Sequence, residues 1–207
     1  MSASPAGSRA EAVALASICG AALVASGIGP VDRDTWLLEV LPVIVALPLL
    51  AFTYSRFRFS RIVYWLIFVH ALILMLGGHY TYTKVPLGFW LQDWLALERN
   101  PYDRIGHFAQ GFAPAMIARE VLLRQTPLKA GKMLFFLVAC VCLAISAFYE
   151  LIEWWTAVAL GASADAFLAT QGDIWDTQWD MATALAGAII AQSLLGRFQD
   201  RSLGFRR

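Results

Sequence analysis

Asn100-Pro-Tyr-Asp-Arg-Ile-Gly-His-Phe-Ala-Gln110 is the stretch on which the reading of this chain turns. Asn followed by Pro marks a helix start: Asn can cap, and Pro suits the first helical position. Asp103 stands three residues past the cap, the place for a capping box and a favourable dipole interaction. His107 is one turn further in, and Gln110 continues that face. The helix that opens here, about Tyr102–Leu123, lies among runs of apolar residues long enough to cross a bilayer. A His inside a membrane helix needs a partner. The search for that partner leads to two other stretches, Tyr149-Glu-Leu-Ile-Glu-Trp154 and Gln171-Gly-Asp-Ile-Trp-Asp-Thr-Gln-Trp-Asp180.

The chain as a whole has the composition of a polytopic membrane protein. Of 207 residues 59% are hydrophobic and 15% charged, and the mean hydropathy is +0.60, more apolar than an ordinary soluble domain. The net charge of +1 recommends no nucleic-acid partner. Cys19, Cys140 and Cys142 lie in apolar runs without a CxxC spacing, which argues against a disulfide framework or zinc knuckle, and buried, inert thiols are expected.

The expected fold is all-α, a polytopic membrane helix bundle with about six transmembrane helices. The other spans are about Ala12–Ile28, Trp36–Tyr54 (with Pro42 and Pro48 inside it), Ile62–Gly78, Met133–Leu160 and Thr177–Phe198. The first of these is read as a retained helix in preference to a cleaved signal peptide. The outer loop His79–Asn100 carries Phe89, Trp90 and Trp94, which suit a short interfacial helix. Residues 10–199 then form one transmembrane domain, between a disordered start over 1–9 and a basic tail over 200–207. There is no internal repeat.

Loop charges set the expected orientation. Ser55–Arg61 holds Arg56, Arg58 and Arg61 without an acid, and Arg119–Lys132 holds four basic residues against Glu120. The tail from Arg197 is also basic. Val31–Thr35 is net acidic, and Gly161–Asp176 holds Asp165, Asp173 and Asp176 without a base. Basic and acidic loops alternate, which places both termini in the cytoplasm.

The polar residues then converge on the outer side. Glu150 and Glu153 share a helix face at i and i+3, with Ser146 one turn below. Counting up from Lys132 at ~1.5 Å per residue puts Glu150 roughly 27 Å along the helix, near the edge of the hydrocarbon. Asp176 and Asp180 are spaced i, i+4 at the start of the last span, and His79 ends the third. His70, mid-span on the opposite face, reads as a packing or interhelical hydrogen-bonding residue. Trp175 and Trp179 read as interfacial belt. Arg104 is expected to pair with one of the acids, and the Gln110 carbonyl, left free by Pro114, is available to line a cavity. Crowded carboxylates in a dry site must be protonated, paired or metal-bound. His79, His107, Glu150, Asp176 and Asp180 are candidate ligands for zinc or a similar divalent ion. For acid–base work the candidates are His107, Asp103, Glu150, Glu153 and Asp180.

His79-Tyr-Thr-Tyr, Val85-Pro-Leu-Gly88, Asn100–Phe112, Glu150–Trp154 and Gln171–Met181 together resemble the YjdF-like family of bacterial inner-membrane proteins. The resemblance runs from the second span to the end, and implies a multi-pass inner-membrane protein without implying an activity. More distantly, Asp103, Arg104, His107, Phe108, Glu150 and Asp180 are similar to positions of VanZ-like membrane proteins, although Thr183 and Ala184 stand where those carry Asn. That resemblance implies a role at the cell envelope.

Three functions suit these residues. One is an envelope enzyme acting on a lipid or amphiphilic substrate. A second is an accessory or structural membrane protein whose polar cluster holds helices together. The third is a cation- or proton-coupled transporter. The third requires a polar path to the cytoplasmic side, and no such path is expected from the sequence unless a homo-oligomer completes it.

Overall fold

The computed structural model describes residues 7–160 and 165–205. The expected disordered start lies outside them for residues 1–6, as do residues 161–164 of the acidic loop and the last two arginines of the tail. The elements are α1 (Arg9–Ser26), α2 (Arg33–Thr53), α3 (Arg61–Tyr80), a 3-10 turn (Tyr82–Lys84), α4 (Pro86–Leu95), α5 (Tyr102–Gln125), α6 (Lys132–Leu160), α7 (Asp165–Leu168) and α8 (Asp176–Ser202). No strand occurs among the described residues. Five of the helices, α1, α2, α3, α6 and α8, are long and apolar enough to cross a membrane. The sixth expected span, α5, has the length but carries the polar residues of the site. The expected interfacial helix is α4, with Trp90 and Trp94 exposed.

The six long helices alternate in direction, so the bundle has two chemically different ends. At the basic end Glu11 of α1 pairs with Arg61 of α3 at 2.7 Å. At the acidic end Val31 N donates to His79 O at 2.9 Å, and Arg99 bonds Asp176 at 2.7 Å. α5 and α8 run parallel and form the most closely packed pair. Gly111 and Gly187 permit this approach: a Cβ on Gly111 would overlap the Ala184 carbonyl, and one on Gly187 the Phe108 carbonyl. Small residues at a crossing are how membrane helices gain packing without a hydrophobic driving force between them. α6 packs on both, and α3 joins α5 to α1.

α2 is attached differently. It packs along α3 and touches α7, but has at most slight contact with α5 or α6. Its internal prolines, Pro42 and Pro48, remove hydrogen-bond donors where neighbours are sparse. An apolar groove of about 460 Å³ therefore lies between α2, α3 and α5, lined by Val43, Ala46, Leu50, Ile67 and Ile117 among others.

The expectation of three buried thiols is corrected at one position. Cys19 and Cys142 are buried, but Cys140 is exposed on an apolar span, which is the lipid-facing side. It neighbours Val141, also exposed, so sequence apolarity there reflects lipid contact and not the core.

Candidate functional site

The start of α5 departs from the expected cap. Pro101, not Asn100, is the capping residue, and no side chain closes a capping box. Asn100 is instead buried and welds the preceding loop to the helix. Its Oδ1 accepts from Tyr102 N at 3.0 Å, and its Nδ2 donates to Thr83 O and Val85 O, both at 3.2 Å. Gly88 is required beside it, because a Cβ there would overlap the Asn100 amide. Gln171 completes the weld by exchanging two hydrogen bonds with the Asn100 backbone, at 3.2 and 3.0 Å. Asp103, freed from capping, turns into the bundle.

Two arginines clamp the acidic loop onto this helix. Arg99 bonds Asp176 at 2.7 Å and Asp103 at 3.3 Å. Arg104 bonds Asp173 and Asp176, both at 3.0 Å, and lies 3.4 Å from Asp180. It also stacks over the Trp179 ring, 5.9 Å from its centroid, so Trp179 orients a cation in addition to meeting the interface. These contacts fix the N-terminus of α8 against that of α5.

His107 lies beneath the clamp at 6% exposure. Its Nδ1 is 3.2 Å from Gln110 Oε1 and 3.8 Å from Glu150 Oε1. Its Nε2 is 3.6 Å from Asp103 Oδ1 and 3.8 Å from Asp180 Oδ2. A proton on Nδ1 donating to Gln110 leaves the Nε2 lone pair facing two carboxylates. That is repulsive unless a proton or a metal ion stands between them. The gaps are too long for hydrogen bonds, but they admit an ion with ligand bonds of ~2.0–2.2 Å. One oxygen each from Asp103 and Asp180 and a ring nitrogen of His107 lie within 4.8 Å of one another. So do ligand atoms of His107, Glu150 and Glu153.

Beside the imidazole is a cavity of about 190 Å³, lined by Glu39, Tyr82, Asp103, His107, Tyr149 and Glu153 among others. Gln110 and Pro114 also line it. Glu153 is 9% exposed and makes no hydrogen bond or ion pair among the described residues. Glu150 Oε1 and Asp180 Oδ1 accept no hydrogen bond either. Tyr149 OH donates to Glu39 at 3.1 Å, closing the cavity between α6 and α2. Burial pushes the Tyr82 phenol well above its usual range, so it stays a neutral donor on the cavity wall.

Of the residues singled out from the sequence, Asp103, His107, Glu150, Glu153 and Asp180 come together. Two of the candidate metal ligands do not join them. His79 Nδ1 is 2.8 Å from Ser26 O, so its ring is engaged in tying α3 to the end of α1. Asp176 is held by the two arginines. Sequence reasoning missed Arg99, Glu39 and Tyr149. A glutamate inside the apolar second span was the available signal, since an acid there requires a partner. Of the two readings of His70, packing or an interhelical hydrogen bond, the structure favours packing: its Nε2 is buried without a hydrogen-bond partner.

The basic end holds a buried polar network of its own. Glu120, fully buried, accepts from Ser60 N at 2.8 Å, Ser60 Oγ at 2.5 Å, Arg124 at 2.7 Å and Gln199 at 3.3 Å. Arg119 bonds Gln199 at 2.9 Å and Asp200 at 2.6 Å. Glu120 and Arg119 are charges on one helix turn, which the loop-charge count had absorbed as flanking residues.

An all-helical bundle with five long apolar helices, and a sixth whose polar face turns inward, is an integral membrane protein. The chain belongs to the family described as Predicted membrane protein (DUF2238), whose model matches residues 11–201. It is 56% identical over 181 residues to "Inner membrane protein YjdF" of Escherichia coli (strain K12), covering 87% of each chain. No solved structure matches it.

Proposed function

We propose that the acidic end of the bundle is a cation-dependent site that processes the headgroup of a lipid or other amphiphile at the periplasmic face of the inner membrane. The observation that carries this reading is His107 Nε2 set between Asp103 and Asp180 at 3.6 and 3.8 Å. It borders a cavity into which the unpaired Glu153 also opens. Asp103, His107 and Asp180 hold a divalent ion such as zinc, with Gln110 fixing the ring tautomer from outside the ligand set. Glu150 and Glu153 stand on the other side of the ring, as proton acceptors for a water or headgroup hydroxyl. The alternation of loop charge supports an acidic end outside and termini in the cytoplasm.

The accessory reading, in which the cluster only joins helices, has support in the arginine clamp. The contrast between the two ends speaks against it. Both oxygens of Glu120 are hydrogen-bonded, whereas Glu150 Oε1, beside His107, accepts no hydrogen bond. A transport role is less well supported, because close Gly–Ala contacts between α5 and α8 leave no polar route along that seam.

Metal analysis of the purified protein tests the proposal. Wild type is expected to retain close to one divalent ion per chain, and His107→Ala and Asp180→Ala to lose it while remaining folded. Wild-type protein that takes up no zinc, manganese or magnesium, with both variants as stable as wild type, overturns the cation site.

A further inference from the structure

We infer that the basic end of the bundle holds a site of its own, which binds a phosphate group flanked by a hydroxyl or ammonium donor. A cavity of about 210 Å³ opens there between the end of α5, the start of α6 and the second half of α8. Arg119, Gly131, Gln192, Ser193, Gly196 and Arg197 are among the residues that line it. No carboxylate is among its lining residues, in contrast to the acidic cavity. Arg119 stands more than three helical turns beyond His107 on α5, roughly 18 Å at the α-helical rise. The site therefore does not rest on the cation reading.

Arginine and a helix start supply the anion half. Arg119 is 5% exposed, and its terminal nitrogens are committed to Gln199 at 2.9 Å and Asp200 at 2.6 Å. Its Nε makes no hydrogen bond among the described residues. Gly196 leaves that edge open, since a Cβ there would lie 3.6 Å from Nε. Arg197, on the exposed side, adds a second guanidinium, and guanidinium groups match phosphate oxygens in geometry as well as charge. α6 begins at Lys132. Gly131, just before it, accepts from Phe135 N at 3.1 Å but has no side chain to cap with. The amides of Lys132, Met133 and Leu134 have no partner among the described residues, so a 29-residue helix presents its positive end beside the arginines. Basic pockets between helix ends are where anionic headgroups dock on membrane proteins.

Gln192 specifies the other half. It is 5% exposed and lines the same cavity. Its Nε2 donates to Phe135 O at 3.1 Å, which orients the amide. Its Oε1 is buried and accepts no hydrogen bond. An amide oxygen buried without a donor is costly, and an ionised phosphodiester cannot satisfy it, because such a group only accepts. The donor must sit beside the phosphate. Ser193 Oγ donates to Ile189 O at 2.7 Å and keeps lone pairs for the same donor. Phosphatidylglycerol, phosphatidylethanolamine and soluble glycerol phosphates all carry a phosphate with a donor next to it. Phosphatidylcholine carries the phosphate without the donor.

Lipid retention and thermal stability test the site. The full chain is purified in detergent, stripped of lipid and given phosphatidylglycerol, phosphatidylethanolamine or phosphatidylcholine in equal amounts. Native mass spectrometry counts the lipids retained per chain, and thermal midpoints are read with inorganic phosphate and with glycerol 3-phosphate. If the ligand is a lipid headgroup, phosphatidylglycerol or phosphatidylethanolamine is expected to be retained about fivefold over phosphatidylcholine, the worth of one hydrogen bond. If it is soluble, glycerol 3-phosphate is expected to raise the midpoint more than inorganic phosphate, without that lipid preference. In either case Gln192→Leu is expected to abolish the preference for a donor-bearing ligand. Gly196→Leu, which covers Arg119 Nε, is expected to remove binding. Arg197→Gln, at an exposed position, is expected to weaken binding about threefold, so the test does not depend on the Gly196 variant folding. His107→Ala leaves all of these readouts unchanged, which separates this site from the cation site. Equal retention of the three lipids with no midpoint shift from either phosphate overturns the inference. So does a preference or shift that survives both Gln192→Leu and Arg197→Gln.

Discussion

Two glutamates show how burial and pairing differ in consequence. Glu120 is wholly buried and all its bonding capacity is used. Glu120→Ala leaves Ser60, Arg124 and Gln199 without their acceptor, and it is expected to lower stability by about 3 kcal/mol, the usual cost of breaking a buried charged pair from one side. Glu153 is nearly as buried but has no partner. Glu153→Gln keeps its shape and removes an ionisable group that has no partner, so its thermal midpoint is expected to equal or exceed that of wild type. Site function, read as headgroup turnover, is expected to fall. Thermal unfolding in detergent checks both signs, and a Glu153→Gln variant as damaged as Glu120→Ala would identify Glu153 as a structural acid. Stabilisation on removing a polar group is a mark of sites kept for function.

Among the elements, the α5–α8 pair is the least tolerant of change. Gly111→Ala places a methyl group against the Ala184 carbonyl, where backbone must shift, and a loss of about 3 kcal/mol is expected. Gly20, in the middle of α1, has nothing within 4 Å of its missing Cβ; Gly20→Ala is expected to be neutral or to stabilise by up to ~1 kcal/mol. Folded yield and thermal midpoint of the pair decide the point. The start of α2 adds a pH dependence. The Thr35 N–H bond to Asp32 Oδ1, at 2.7 Å, holds the Asp32 carboxyl below its ordinary value. A depressed folded value means that its contribution is present above about pH 4, the unfolded carboxylate range, and is lost as pH falls through the folded one. Asp32→Ala is therefore expected to lower the midpoint modestly at neutral pH, with the difference from wild type vanishing in acid.

At the scale of the molecule, the sequence made the long helices, their alternation and the convergence of five candidate residues legible, because apolar run length, loop charge and acids in apolar helices are local signals. Contacts between distant segments were not legible. Tyr149 meets Glu39 across 110 positions, and the Glu120 network joins α3, α5 and α8. Asn100 read locally as a cap, yet its side chain is used by the loop before it. Which end of the bundle faces the periplasm follows from loop charge alone, and cysteine accessibility tests it. With Cys19, Cys140 and Cys142 replaced, Leu97→Cys reports the acidic end and Lys129→Cys the basic end, both lying in loops between long helices. A membrane-impermeant maleimide applied to spheroplasts is expected to label Leu97→Cys, and to reach Lys129→Cys only after permeabilisation. The reverse pattern would turn the bundle over, and would put His107, its carboxylates and any lipid headgroup they handle at the cytoplasmic leaflet. The site geometry would survive that result. The substrate pool would not, since the two leaflets present different headgroups, so the orientation decides which lipids the cavity meets.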